Sequence, residues 1–254
     1  MFEKGALAAP FFYPCTPILA WIVTAYPNRC PLETTLAKPL FDPARLPVDA
    51  LAGEPAVPRE RLTAAWLRER FATPGDWHPE TADEARAATA PPTPASVLVP
   101  LVQRERGLTV LLTQRTAHLN DHAGQVAFPG GRAEHDDVDA VDTALRETEE
   151  EIGLHRRHIE ILGTLPLYYT GTGYAVTPVV ALVAPPFDMK ADPFEVAEIF
   201  EVPLAFLMDG AHHELRSVAL AGTKRTFYTM PYERHFVWGA TAGMLRNLFH
   251  FLRA

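Results

Sequence analysis

The spacing of apolar and polar residues changes character near residue 96 of this 254-residue chain. Residues 1 to about 60 hold many prolines and alanines and show no sustained period, so they read as irregular chain. "ERLTAAWLRERF" then sets Leu62, Ala65, Trp66, Leu67 and Phe71 at helical spacing, which predicts one helix over about 59–72. A stretch rich in Pro, Thr and Ala ends in "TAPPTPAS", and a domain boundary is expected there. Beyond it, "SVLVPLVQ" and "LTVLLTQR" are short β-branched runs on either side of "RERG", a hairpin pattern. "QVAF", "HIEILGTLPLYY" and "VTPVVALV" predict further strands. "EIFEVPLAFLM" predicts a strand passing into a short helix at Pro203, and "TFYTMPY" with "HFVW" a late hairpin. "GATAGMLRNLFHFL" is amphipathic, with Leu245, Leu248, Phe249 and Leu252 on one side. Strands in the middle with helices around them give an α/β class, a layered domain over 95–254 behind an N-terminal extension over 1–94.

Composition narrows the function classes. Apolar residues make up 48 % of the chain, an ordinary globular share, and the formal charge of −8 argues against a phosphate-backbone binder, so no nucleic acid is expected. An anionic substrate would need a metal ion or local arginines. Cys15 and Cys30 stand in no CxxC pattern, which favours free thiols in a reducing compartment and a cytoplasmic location. "ALAAPFFYPCTPILAWIV" contains three prolines, against a spanning helix, and is preceded by Lys4 beside Glu3, a poor positive start for a signal peptide; it reads as a loosely ordered N-terminal extension, with a secretory signal as the alternative. No membrane partner is expected. The sequence leaves the oligomeric state open, a homodimer included.

One short stretch carries the chemistry. In "FPGGRAEHDDVDAVDTALRETEEEIGL", four glutamates fall within residues 147–151 of one helix. At about 100° per residue, Val141, Ala144, Leu145, Thr148 and Ile152 form the buried stripe. Glu147, Glu150 and Glu151 share a second sector, while Glu149 points away. Asp142 can pair with Arg146 at i,i+4, which would leave the three glutamates uncompensated near the negative end of the helix dipole. Gly153 is placed to cap the helix. Such an arrangement is locally unfavourable unless a cation joins it. Three carboxylates suit a hard divalent ion, Mg²⁺ or Mn²⁺.

"GG…RETEEEIGL" resembles the Nudix box, G-x5-E-x7-R-E-U-x-E-E-x-G-U with U aliphatic. Arg146, Glu147, Glu150, Glu151, Gly153 and Leu154 match its second half; Thr148 replaces an aliphatic residue, and the first half runs one residue long with Asp137 at the place of the early glutamate. "LLTQRTAHLNDHAGQVAFPGG", residues 111–131, is similar to an additional signature of the coenzyme A pyrophosphatase branch, as are "TGTGYAVTPVV" and "DPFEVAEIFEVPL". The resemblance covers about 95–254. It implies a Nudix α/β/α sandwich with a mixed sheet. It also implies metal-dependent hydrolysis of a nucleoside diphosphate derivative, here CoA or acyl-CoA, to 3′,5′-ADP and (acyl-)4′-phosphopantetheine. Other Nudix substrates such as ADP-ribose, and a non-catalytic ligand-sensing domain, are the alternatives.

Each residue of the motif then has an expected role. Glu150 and Glu151 are direct metal ligands, and Glu147 is a third ligand or the base for water. Arg146 orients a glutamate by a charge-assisted hydrogen bond. Gly130 and Gly131 let the backbone pass close to the metal or substrate. Glu195, ahead of the Val-Pro-Leu run, is favoured over Glu198 as an additional acid. Arg115 suits a substrate phosphate. His122 is expected to be a loop-stabilising hydrogen bonder.

Overall fold

The computed structural model describes residues 41–80, 91–118, 123–220 and 222–254. All belong to one packing unit, Leu36–Ala254. Cys15, Cys30, the apolar stretch 6–23 and His122 lie outside the described residues.

Ahead of the expected domain boundary come a short strand β1 (Val48–Leu51) and a helix α1 (Ala64–Ala72) preceded by a 3₁₀ turn at Arg59–Arg61. Thr63 caps α1, its hydroxyl accepting from Trp66 N at 3.3 Å. The boundary expected near residue 94 is not a boundary of packing. Val57, Leu62 and the fully enclosed Leu67 belong to the main core, so residues 41–80 fold together with the strands and helices beyond residue 92.

The hairpin expected from "SVLVPLVQ" and "LTVLLTQR" forms as β2 (Thr93–Arg104) and β3 (Gly107–Arg115). β4 (Val126–Ala127) and β5 (Gly130–Arg132) precede helix α2 (Ala140–Ile152). Then come β6 (Ile159–Thr164), β7 (Tyr168–Tyr169), β8 (Tyr174–Val183) and β9 (Val196–Pro203). The central sheet runs β4-β3-β2-β8-β6, with β5 on β2, β7 on β8 and β9 on β3. It is mixed: β2 and β8 are parallel and the other pairs antiparallel. Alternation along β3 sorts its two faces. Leu111 packs with Ile152 and Leu154 under α2, whereas Leu112 joins the core shared with Leu67, Leu245, Leu248 and Phe249. Helices on both faces give the α/β/α arrangement that the sequence implied.

Two strand assignments are corrected. "HIEILGTLPLYY" is two strands, β6 and β7, separated around Pro166, which cannot donate to a ladder. A strand that the sequence pattern does not predict, β10 (Glu214–Leu220), pairs with β11 (Thr223–Tyr232), and β11 with β12 (His235–Trp238). With β1 they form a second antiparallel sheet ordered β1-β10-β11-β12. The strand-to-helix passage at Pro203 forms as expected, with α3 at Leu204–Leu207.

The chain ends in α4 (Gly239–Arg253). The sequence put its apolar residues on one side, but the helix is enclosed nearly all round, Arg246 and Asn247 included. Arg246 is 1 % exposed and donates to Glu54 at 2.7 Å, Glu80 at 2.6 Å and His213 Nδ1 at 3.0 Å, while His250 Nε2, 3.1 Å from Glu80, donates to that carboxylate. Burial disfavours charge on Glu80, but hydrogen bonds from His250 and Arg246 outweigh it and hold the carboxyl at about 2. Burial also lowers His213 to about 4, so the ring is neutral, with Nε2 donating to Leu207 O at 2.8 Å. Glu54, Glu80 and His250 lie close enough together to suggest a metal cluster, but the Arg246 guanidinium already fills their centre. No helix among the described residues is long and apolar enough to cross a membrane.

Candidate active site

α2 is fixed at both ends by its own sequence. The Asp139 carboxylate accepts from Asp142 N at 2.9 Å at the N-cap, and Gly153 closes the C-terminus at φ 68°. The buried Ser96 of β2 donates to Ala140 O at 2.6 Å, pinning the helix start to the sheet. Beneath the helix runs β5. Gly130 and Gly131 sit in that strand opposite Val97 and Ser96. A Cβ on Gly130, at φ 153°, would lie 2.4 Å from Ser96 O. One on Gly131 would lie 2.5 Å from the Glu147 carboxyl. Only glycine lets β5 pass between β2 and Glu147.

The glutamates are graded by their angle from the buried stripe. Around the helix from Ala144, Glu151 stands at about 20°, Glu147 at about 60° and Glu150 at about 120°. Their side chains are 5 %, 17 % and 60 % exposed in that order. Glu149 turns away toward Arg156, as the wheel indicated. Burial raises Glu151 to about 8, against the pull of Arg115 and the Gly130 N–H. Burial likewise raises Glu147, partly offset by Arg146. The folded chain thus holds two carboxylates where their charge is disfavoured.

Arg146 donates to Glu147 and Glu150, each at 3.0 Å. Its expected i,i+4 partner is wrong, however. Asp142 pairs with Arg156 at 3.1 Å, while Arg146 donates to both oxygens of Asp137, at 2.8 and 3.0 Å. Asp137 also accepts from Thr143 Oγ and Glu134 N, each at 2.8 Å, and the Arg146 guanidinium beside it holds its carboxyl well below the usual range. Two of the three glutamates are therefore compensated, by an arginine that the preceding loop locks in place.

Arg115, at the end of β3, lies 3.4 Å from Glu151 and 3.8 Å from Glu195. The Gly130 N–H donates to Glu151 at 3.3 Å. Glu198 does not join this group; it pairs with Arg234 and, at 3.3 Å, with His235. The structure therefore brings Glu147, Glu150, Glu151, Arg146, Arg115, Glu195, Gly130 and Gly131 to one end of α2, and separates Glu195 from Glu198. The sequence placed Asp137 in the motif without its function; the signal was there in its spacing, nine residues before Arg146.

The donors are all hard oxygens on one helix flank, and the Glu147 carboxyl takes the place that a side chain on Gly131 would fill, so the set fits a divalent cation. Among the described residues these carboxylate oxygens are not drawn into one cluster, as the donor atoms of Glu54, Glu80 and His250 are.

The family profile described as NUDIX domain matches residues 92–218, half of the chain. Over 156 residues the chain is 45 % identical to NudL of Escherichia coli K12, described as an uncharacterized Nudix hydrolase; the match covers 61 % of this chain and 80 % of NudL. The chain belongs to the Nudix family. Solved Nudix structures resemble it more distantly. The Nudix hydrolase RenU of M. smegmatis is 22 % identical, with TM-score 0.41, over 51 % of this chain and 80 % of RenU. The NUDIX domain of Shewanella oneidensis NrtR, solved with ADP ribose, is 23 % identical, with TM-score 0.36, over 56 % of this chain and 84 % of that one. As a Nudix hydrolase the protein acts on phosphorus-containing anhydrides with the help of a divalent metal ion. The Nudix match begins near the boundary expected from the sequence, although the packed unit extends well ahead of it.

Proposed function

We propose that this Nudix hydrolase cleaves the diphosphate of CoA or acyl-CoA, releasing 3′,5′-ADP and (acyl-)4′-phosphopantetheine. The observation that carries the reading is the convergence of the 111–131 stretch on one carboxylate. Arg115 from its start and Gly130 from its end both reach Glu151, at 3.4 and 3.3 Å. The residues that resemble the CoA-directed signature thus frame the candidate metal site itself. Two cysteines outside any CxxC spacing support placing the reaction in the cytoplasm.

In this reading Glu150 and Glu151 hold the ion, and Glu147 is a third ligand or takes the proton of the attacking water. A bound divalent ion neutralises the diphosphate and acidifies water, and either Mg²⁺ or Mn²⁺ suits these oxygens. Arg146, clamped by Asp137, keeps Glu147 and Glu150 aimed. Glu195 is the additional acid. Arg115 offers a guanidinium to a substrate phosphate.

The test is a hydrolysis screen of CoA, acetyl-CoA, dephospho-CoA, ADP-ribose and dinucleoside polyphosphates with Mg²⁺, with Mn²⁺ and with EDTA. CoA or its thioester should show the highest kcat/KM, and EDTA should abolish turnover. A preference for ADP-ribose or a dinucleotide would overturn the CoA assignment and leave a Nudix diphosphatase of different specificity.

A further inference from the structure

Lone exposed apolar side chains are ordinary, but Phe194 is not placed like one. It is 70 % exposed and stands on the turn that leads from β8 into β9, one residue before Glu195. That turn is bolted down. Asp192 N donates to Glu151 O at 2.8 Å, the Asp192 carboxylate accepts from Phe194 N at 2.8 Å, and Asp192 O accepts from Val196 N at 2.9 Å. From the other side the Thr116 hydroxyl donates to Phe194 O at 2.8 Å, and Thr116 N to Glu195 O at 2.9 Å. The ring is therefore presented to solvent by a backbone that is tied directly to Glu151 and to the residue after Arg115. The exposed His118 meets it edge-to-face, with centroids 5.1 Å apart and planes at 80°.

A flat aromatic surface held in place at the rim of the site rewards a planar ligand group. A nucleoside diphosphate derivative has one such group, its base. We infer that Phe194, with His118 against it, is the shelf on which the adenine of the substrate stacks. The pantetheine arm is flexible and has no π face to match the ring, so it gains little from this surface. Arg115, 3.8 Å from the neighbouring Glu195, offers a cation on the same rim to the ribose phosphate of a base stacked there. The inference rests on the proposed nucleoside diphosphate substrate and adds which half of that substrate lies on which side of the glutamates.

The test uses AMP as the probe, titrated into the full chain without metal, so that binding is read apart from hydrolysis. Phe194→Leu keeps apolar bulk and removes the π face; Phe194→Tyr keeps both. Stacking of a base on an aromatic ring is worth about five- to 150-fold. AMP affinity should fall at least about fivefold in Phe194→Leu and stay within about twofold of wild type in Phe194→Tyr. The KM for CoA should rise in Phe194→Leu with a smaller change in kcat. Unchanged AMP affinity in Phe194→Leu, equal losses in the two variants, or no AMP binding by wild type would each overturn the shelf. If AMP binds through Phe194 while CoA is not cleaved, the shelf stands and the CoA assignment falls.

Discussion

At the scale of single residues, the site is a gradient of burial along one helix flank, and each position predicts a different outcome. Glu150→Gln removes a candidate ligand charge and keeps its shape, so turnover should fall by at least about 10², the scale of losing one key electrostatic group. Its pair with Arg146 is exposed, and exposed pairs contribute little, so the melting temperature should hold. Glu149→Gln, on the far flank, should be near wild type; a large loss there would refute the helix phase. Arg115→Ala should lower general activity, because Arg115 offsets the burial of Glu151, and should also erase much of any preference for CoA over dephospho-CoA. The ratio of the two substrates isolates the second effect, expected at about tenfold to a hundredfold. An unchanged ratio would show that Arg115 does not read the 3′-phosphate. The three converging glutamates, and the diverging Glu149, were legible because helix geometry alone fixes their angles. The partner of Arg146 was not. The i,i+4 rule sees only the helix, whereas Asp137 reaches Arg146 from the loop before it and accepts two hydrogen bonds where Asp142 would have offered a surface pair.

At the scale of elements, α2 works because its ends are specified as firmly as its faces. Gly153→Ala would put a side chain at φ 68° and 3.2 Å from Lys190 N. Left-handed backbone costs a non-glycine residue about 1–2 kcal/mol, so the urea midpoint should drop accordingly. Activity per folded molecule should suffer less, since no candidate ligand moves. No change in the midpoint would mean that the cap contributes nothing. The strands β2, β3 and β8 were legible from β-branched runs because both of their faces are buried along much of their length. β10 was hidden by its own chemistry. Its inward Arg216 is buried yet polar, bonded to Glu214, Thr229 and the carbonyls of Ala44 and Leu46, and so breaks the apolar alternation that marks a strand.

At the scale of the whole molecule, Arg246 ties the segment before residue 81 to the last helix. A chain starting at residue 92 would lose Leu67 and both acidic partners of Arg246. Removing a buried leucine costs about 2–5 kcal/mol, and stranding a buried charge about 3–5 kcal/mol more. Together these rival a domain's entire stability of about 5–15 kcal/mol. That fragment should lack a cooperative melt, whereas a chain starting at residue 41 should keep one; a normal melt of the shorter fragment would show the tie to be dispensable. The same cluster gives stability a pH dependence. His213 titrates at about 4 folded against 6.5 in its ordinary state, so the unfolded chain takes up the proton first. Stability should fall as pH drops from 6.5 toward 4, by no more than about 3 kcal/mol from this group. Glu80, depressed to about 2, adds a further loss below 4.5. The slope of melting temperature against pH between 6.5 and 4.5 should flatten in His213→Gln; an unchanged slope would exclude His213 as its source. None of this was legible in the sequence, where Arg246 lies in an apolar helix and Glu54 and Glu80 in proline-rich chain.

The tie also sets an order in time. Glu54 and Glu80 stand 192 and 166 residues ahead of the arginine that neutralises them. On a ribosome adding about 5–20 residues per second, they wait on the order of ten to forty seconds for it. Until then α1 has no α4 to lie against, and the face of the central sheet they will jointly cover stays open. The nascent chain can complete its glutamate-bearing helix long before it can close its core, so the interval in which it needs shelter from aggregation is written into the distance between those two acids and residue 246.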